Sequence, residues 1–365
     1  MQDHDDLKHV YPEESETNRR NFIKGSLMGF AAASAAAVAL PGGARAEDKI
    51  GVGPARKMVW VTHHIGEWNL YIETGFRDFC DQYGWTYQKL GVAEGAYSVE
   101  AHTNLIKQAI QTKPDVIIST MTDAALEPAL AEVETAGIIL QINNSFIPEV
   151  LTKHNWGFVG APPHAQGLTA GRMMGEYLVS KGRKDGAIPV GNAIPGMMQL
   201  EERFRGMADG IKEINQKHGS TFTCEQFPDQ AADLSQSIPI YNAKRNSLGD
   251  NLAAFLTIGY QGQVASFRAL EQAGIPPGQI PLGGMDATPE VLEGIEKGFI
   301  IFSIEQEIYH QGYLAVASSW ARVERGATQP FVDTSSSIVT KDNIERFVKR
   351  ADTILKRATE LGLRQ

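Results

Sequence analysis

At 365 residues the chain is longer than one hydrophobic core usually serves, so two domains are the starting expectation. Its 42% hydrophobic and 21% charged residues make an ordinary globular mix, and a formal net charge of -9 leaves no basic excess to neutralise nucleic-acid phosphates. Two cysteines, Cys80 and Cys224, with no C-x-x-C, weigh against a disulfide framework and a cysteine zinc site.

The first element in chain order is a leader. Arg19 and Arg20 precede Phe22, Ile23 and Lys24; a small-residue apolar run from Gly25 to Leu40 follows, and then Ala44-Arg45-Ala46. A charged n-region, an h-region and an A-x-A cleavage pattern stand in the order of an export signal. The apolar run is too short and alanine-rich for a transmembrane helix, which needs about 20 strongly apolar residues. The Arg-Arg-x-Phe-Ile-Lys arrangement resembles a twin-arginine (Tat) signal. Residues 1–46 are therefore expected to be removed near Ala46, leaving a protein that works in the periplasm.

From Lys57 short apolar runs alternate with amphipathic stretches. KMVWVTHH reads as a strand, and NLYIETGFRDFCDQYG as a helix ended by Gly84. WTYQKLG, DVIIST and IILQIN are further strands, separated by helices over SVEAHTNLIKQAIQTK and ALEPALAEVETAG. After WGFVG the rhythm resumes with helix HAQGLTAGRMMGEYLVSKG, strand AIPVGNA, helix QLEERFRGMADGIKEINQKHG and strand FTCEQF. A helix around ADLSQSIPIYNAKRN, strand AAFLTIG, helix GQVASFRALEQAG and strand QIPLGGM complete it. Such alternation builds parallel β-α-β units with helices on both sheet faces. The expected fold is α/β, with two doubly wound parallel-sheet domains.

In such sheets ligands bind beyond the carboxyl ends of the strands. That rule selects THHIGEWN, STMTDA, QINNSF, VGNAIPGMMQ, TIGYQG and GGMDATPE. In the first turn His63 and His64 are adjacent, so on a strand they would point to opposite faces, and no zinc-like spacing follows them. Trp68 offers a flat apolar platform and Asn69 a paired donor and acceptor, a combination that suits sugar rings; Trp68 packing a domain edge is the plainer alternative. Asn143 and Asn144 follow an apolar strand, where Asn is also favoured by turn geometry alone. Arg203 and Arg205 lie beside Glu201 and Glu202, either as solvated helix pairs or with one guanidinium reaching ligand oxygens. Gln306 ends a β-branched strand as an amide or a hinge residue. Asp286 is a catalytic acid, a helix cap or an acceptor for something bound; Thr288 followed by Pro289 makes the better cap and first helical position, which leaves Asp286 to face a cleft. No nucleophile elbow, phosphate loop or dinucleotide fingerprint is present, and nothing places the Glu201/Glu202 or Glu305/Glu307 carboxylates at a glycosidase spacing.

The runs WGFVGAPPHAQGLTAGRMMGEYL, ERFRGMADGIKE, FLTIGYQGQVASFRALEQAGIPP and IPLGGMDATPEVLEGIEKGFIIFSIEQEIYHQGYLAV resemble the ribose-type periplasmic binding proteins of sugar ABC transporters (periplasmic binding protein type I). The resemblance spans about residues 57 to 345. It implies two α/β domains joined by three hinge crossovers: 57–144 with about 307–330, then 157–305, with about 331–365 as crossover strand and C-terminal helix. It implies a monomer that traps a simple sugar or sugar-like polyol in an interdomain cleft and hands it to a membrane permease, with no cofactor, metal or catalysis. By the resemblance the aromatic pair after the first strand falls at Trp68 and Asn69, and the Asp-Arg pair at the first crossover falls at Asn143 and Asn144. The R-x-x-G arginine is Arg203, and the Asn-Asp pair falls at Gly259 and Tyr260. The G-x-D aspartate is Asp286 and the crossover glutamine Gln306. Both charges at 143–144 and one aromatic are thus replaced. A furanose-like signal molecule or a chemoreceptor role is the alternative implied; a repressor of the same fold is excluded by the leader and by the lack of a helix-turn-helix ahead of the strands.

Overall fold

The computed structural model describes residues 53–364 apart from Glu67, 93–96, 231–232 and 335–336; the expected leader lies outside the described residues. Strands are β1 (Lys57–Thr62), β2 (Thr86–Gly91), β3 (Val116–Ser119), β4 (Ile139–Asn143), β5 (Phe158–Gly160), β6 (Asp185–Asn192), β7 (Thr221–Pro228), β8 (Phe255–Thr257), β9 (Leu282–Met285), β10 (Ile300–Glu305), β11 (Phe331–Asp333) and β12 (Ser337–Val339). Helices are α1 (Asn69–Tyr83), α2 (Val99–Gln111), α3 (Glu127–Thr135), α4 (Pro148–His154), α5 (Pro163–Ser180), α6 (Met198–His218), α7 (Leu234–Leu248), α8 (Tyr260–Gln272), α9 (Pro289–Glu296), α10 (Ile308–Arg325) and α11 (Ile344–Glu360).

The strands form two six-stranded sheets, ordered β11-β5-β4-β3-β1-β2 and β12-β10-β9-β8-β6-β7. The two orders repeat each other, and only β12 runs antiparallel to its neighbour, β10. Met58, Val59, Trp60 and Val61 are all wholly buried, as a strand covered by helices on both faces requires. The α/β fold with two doubly wound domains is thus present. Helix α1 buries Ile72, Phe76 and Phe79 and ends at Gly84, whose φ of 69° closes the last turn. Helix α2 starts at Ser98, whose hydroxyl accepts from the Ala101 N–H at 3.0 Å.

The chain passes between the sheets three times. It leaves the first after β5, returns at Gln306–Glu307 between β10 and α10, and leaves again between β11 and β12. Two details differ from the sequence expectation. β5 falls within the range assigned to the second domain but pairs with β4 in the first sheet. The first crossover follows β5, so Asn143 and Asn144 sit at the end of β4 and not at a crossover. The seven-residue α4 had no periodic signal long enough to announce it.

Glycines set the closest helix contact of the second lobe. A Cβ on Gly167 would collide with the Arg203 carbonyl, and one on Gly206 with the His164 carbonyl, so α5 and α6 meet backbone to backbone. That contact fixes the α6 turn carrying Arg203. Among the described residues no helix is long and apolar enough to cross a membrane.

Candidate functional site

The carboxyl ends of β1, β4, β6, β8, β9 and β10 converge on a cavity of about 460 Å³ between the lobes. From the first lobe it is lined by His63, His64, Trp68, Tyr97 and Asn144; from the second by Met197, Gln199, Arg203, Tyr260 and Asp286; and from the crossover by Gln306. Gln199 joins the lobes across it. Its amide accepts from the Ser145 hydroxyl, and its Nε2 donates to the Asn144 carbonyl at 3.5 Å.

Asp286 is buried, with a φ of 70° that turns its side chain off the end of β9. Its Oδ1 accepts from Gln306 Nε2 at 2.6 Å, and the carboxylate also accepts from the Tyr260 N–H, the first residue of α8. An anion at a helix start is favoured by the free N–H groups and the helix dipole. Burial pushes the carboxyl up, while the nearby Arg203 guanidinium, Gln306 and the Tyr260 N–H pull it back. Thr288 does occupy the cap position of α9 with Pro289 after it, but its hydroxyl makes no capping bond.

Arg203 is buried, and most of its fork is committed to the fold. Nη1 donates to the Ile258 carbonyl at 2.6 Å and Nη2 to Gln166 Oε1 at 2.8 Å. Burial lowers its pKa and the Asp286 charge opposes that shift; a guanidinium stays protonated throughout. Arg203 Nε and Gln306 Oε1 are buried without a protein partner. Both atoms lie on side chains that line the cavity, as does the unpartnered His64 Nε2, so the lining offers a ligand two donors and an acceptor beside the Asp286 carboxylate.

The opposite side is aromatic. Trp68 Nε1 donates to His64 Nδ1 at 3.0 Å, and the two rings lie within 20° of parallel with centroids 5.6 Å apart. A bond between ring edges makes them one extended flat plate. The His63 ring sits 6.0 Å from Trp68, and Tyr97 meets His63 edge-on at 6.3 Å. Burial holds both imidazoles neutral, with His64 lowered to about 4 and His63 well below its usual range. Because Nδ1 of His64 accepts the indole proton, its own proton is on Nε2. The histidines lie beyond the end of β1, so strand alternation does not separate them and both reach the cavity. Among the described residues no group of three or more His, Cys, Asp or Glu could hold a metal ion.

Six of the eight residues singled out from sequence line the cavity: Trp68, Asn144, Arg203, Tyr260, Asp286 and Gln306. Asn69 does not. It is buried in the first turn of α1, and its Oδ1 accepts from the Gly66 N–H at 2.6 Å, bracing the turn that presents Trp68. Asn143 does not either; it is wholly buried as the last residue of β4, with both amide atoms unpartnered, while Asn144 turns out at a φ of 62°. The Asn144 amide is itself held, its Nδ2 donating to Gln311 Oε1 at 2.9 Å. Arg205 is an exposed partner of Glu202, the solvated pairing that its spacing allowed. Gln199 and Gln261 lie in turns that the strand-end rule selects, whereas Tyr97, Gln230, Asp233 and Gln236 follow β2 and β7, whose ends obey the same rule without a polar motif to single them out.

A larger cavity of about 770 Å³ borders α11, Asp78, Glu307 and Tyr309. It contains none of the residues above, and its carboxylates are already paired: Asp78 with Arg357 and Glu307 with Arg350.

Residues 58–327 match the family described as periplasmic binding protein domain. The chain belongs to that family. The match covers both sheets up to the end of α10, and it carries an extracytoplasmic location and a binding role, not an enzymatic one. A relative, the xylose/arabinose-binding protein XylF of Sulfolobus acidocaldarius, is 23% identical over 312 residues, 81% of this chain and 73% of its own. Among solved structures, an ABC transporter solute binding protein from Burkholderia graminis C4D1M in complex with D-arabinose superposes with a TM-score of 0.70 at 20% identity, covering 79% of this chain and 96% of its own. One from Agrobacterium vitis with bound D-fucose gives 0.70 at 19%, covering 81% and 99%. A carbohydrate transporter from Acidothermus cellulolyticus 11B in complex with myo-inositol gives 0.68 at 22%, covering 82% and 99%. As a periplasmic binding protein, this chain shares the two-lobed fold of these neighbours.

Proposed function

We propose that this periplasmic binding protein is the solute receptor of an ABC importer and that its interlobe cavity holds one neutral sugar or sugar-like polyol. The observation that carries the reading is two of the orphaned buried atoms, Arg203 Nε and Gln306 Oε1, which line the same cavity as the Asp286 carboxylate and the Trp68–His64 plate. Hydroxyl groups both donate and accept, so they satisfy all three, while C–H faces of a ring suit the plate. Neutrality follows from charge. Arg203 and Asp286 offset one another, both histidines are uncharged, and the remaining charged lining residue, Asp233, is an anion held by Ser235 and Gln236 at the start of α7. Among the described lining residues no uncompensated cation remains to hold a carboxylate or phosphate. The sugars named for the relatives support the ligand class.

The finer parts of the proposal are these. Residues 1–46 are a twin-arginine signal cleaved near Ala46. The lobes hinge at the three crossovers and close on the ligand. The protein acts as a monomer and delivers its ligand to a membrane permease. The test is a thermal-shift screen of the mature chain against D-xylose, L- and D-arabinose, D-fucose, myo-inositol and a panel of sugar acids. A ligand that binds only the folded state raises the melting temperature. A neutral sugar or polyol should shift it by several degrees and the sugar acids should not; a shift with the acids alone would overturn the proposal.

A further inference from the structure

Gln306, which reaches Asp286, is flanked on the crossover by two carboxylates that play no part in the cavity. Glu305 is buried and Glu307 is held at a φ of 55°. Both are gripped by one side chain from the C-terminal helix: Arg350 Nη2 stands 3.2 Å from Glu305 Oε1, and Arg350 Nη1 stands 2.7 Å from Glu307 Oε2. The guanidinium is steadied by the Phe347 ring, 5.0 Å away. Helix α11 packs against α1 of the first lobe and α9 of the second, and Arg357 fastens it to Asp78 of α1 at 2.6 Å. Glu307 adds a tie to the last crossover, its Oε1 accepting from the Ser337 hydroxyl at 2.8 Å.

We propose that Arg350 is a positioning residue for the cavity: by clamping Glu305 and Glu307 it fixes the crossover from which Gln306 reaches Asp286. The proposal rests on the role given to Gln306 above, but it concerns the ligand-free protein and fails separately.

The groups facing Glu305 are Arg350 from α11, Asp286 from the turn before α9, Glu307 on the crossover and the Ile308 N–H, which donates to it at 3.2 Å. Burial raises its carboxyl to about 7, Asp286 and Glu307 add to the rise, and Arg350 opposes it. Above pH 7 Glu305 is ionised and both arms of the clamp are ion pairs, at a burial cost that Arg350 only partly offsets. A carboxyl raised from its ordinary value of 4.5 to about 7 contributes stability fully below 4.5 and loses it as pH climbs through 7. Glu307, lowered to about 2 with His310 and Arg350 at its side, contributes stability above 4.5 that is lost as pH falls toward 2. Between pH 6 and 8 the same linkage applies to any opening that exposes Glu305, so the crossover should loosen as Glu305 ionises, and Arg350 limits the loss.

The experiment is amide hydrogen exchange of the ligand-free full chain at pH 6 and pH 8, corrected for intrinsic rates and read on peptides covering 305–311 and, as a control, 57–66. In wild type, protection of 305–311 should fall about tenfold from pH 6 to pH 8, because opening the crossover frees the ionised Glu305 from burial, with the control peptide changing no more than that. Glu305→Gln should abolish the pH dependence, Arg350→Met should lower protection at both pH values, and Arg350→Lys should fall between. Wild-type protection with a wild-type pH profile in Arg350→Met would overturn the proposal. Should that variant fail to fold, a pH dependence retained in Glu305→Gln would do the same.

Discussion

The two sides of the cavity are built differently. The second lobe presents charge that is buried and pre-committed: Asp286 is pinned by Gln306 and the start of α8, and Arg203 spends two nitrogens on Ile258 and Gln166. The first lobe presents aromatic surface, with an indole fixed in plane by a neutral imidazole. One side supplies directional, strong bonds; the other supplies area with little directional demand. A ligand clamped between them takes its hydroxyl specificity from the second lobe and its ring orientation from the first.

That contrast can be broken one side at a time. The largest effect belongs to Asp286. A hydrogen bond to a charged group contributes about 1.5–3 kcal/mol, so Asp286→Ala should weaken sugar binding about tenfold to a hundredfold or more. It also leaves the buried Arg203 without its opposing charge. Calorimetry with the sugar found by thermal shift would check this, and wild-type affinity in the variant would remove Asp286 from the site. The smaller effect belongs to the plate. Ring contacts contribute about 0.5–1.5 kcal/mol beyond the area they bury, so Trp68→Ala should cost about threefold to tenfold while leaving the ranking of stereoisomers intact. If Trp68→Ala reorders the stereoisomers and Asp286→Ala does not, the division of labour between the sides is reversed.

The same contrast explains what was legible in the sequence. Element order, strand-to-helix turns and the fold class follow from hydrophobic rhythm, and Asp286, Arg203 and Gln306 stand at strand or helix ends where the topology rule looks. Side-chain direction within a turn is a tertiary property. Trp68 and Asn69, like Asn143 and Asn144, are neighbours of which one enters the cavity and the other turns into the fold, because a helix start and a strand end rotate successive side chains apart. His63 and His64 escaped as site residues for the opposite reason: the strand stops at Thr62, so the alternation applied to them does not hold. Tyr97 arrives on a turn with no apolar signature of its own, and its place beside His63 depends on the pairing of β1 with both β2 and β3. The Arg350 clamp joins residues more than forty positions apart across a crossover, a contact that no local pattern encodes.

The central claim is that both sides hold one molecule at once. Small-angle scattering of the mature wild-type chain, with and without a saturating amount of the sugar that raises its melting temperature, tests it most directly. Closure around a shared ligand predicts a fall in the radius of gyration on saturation. A raised melting temperature with an unchanged radius of gyration would contradict it.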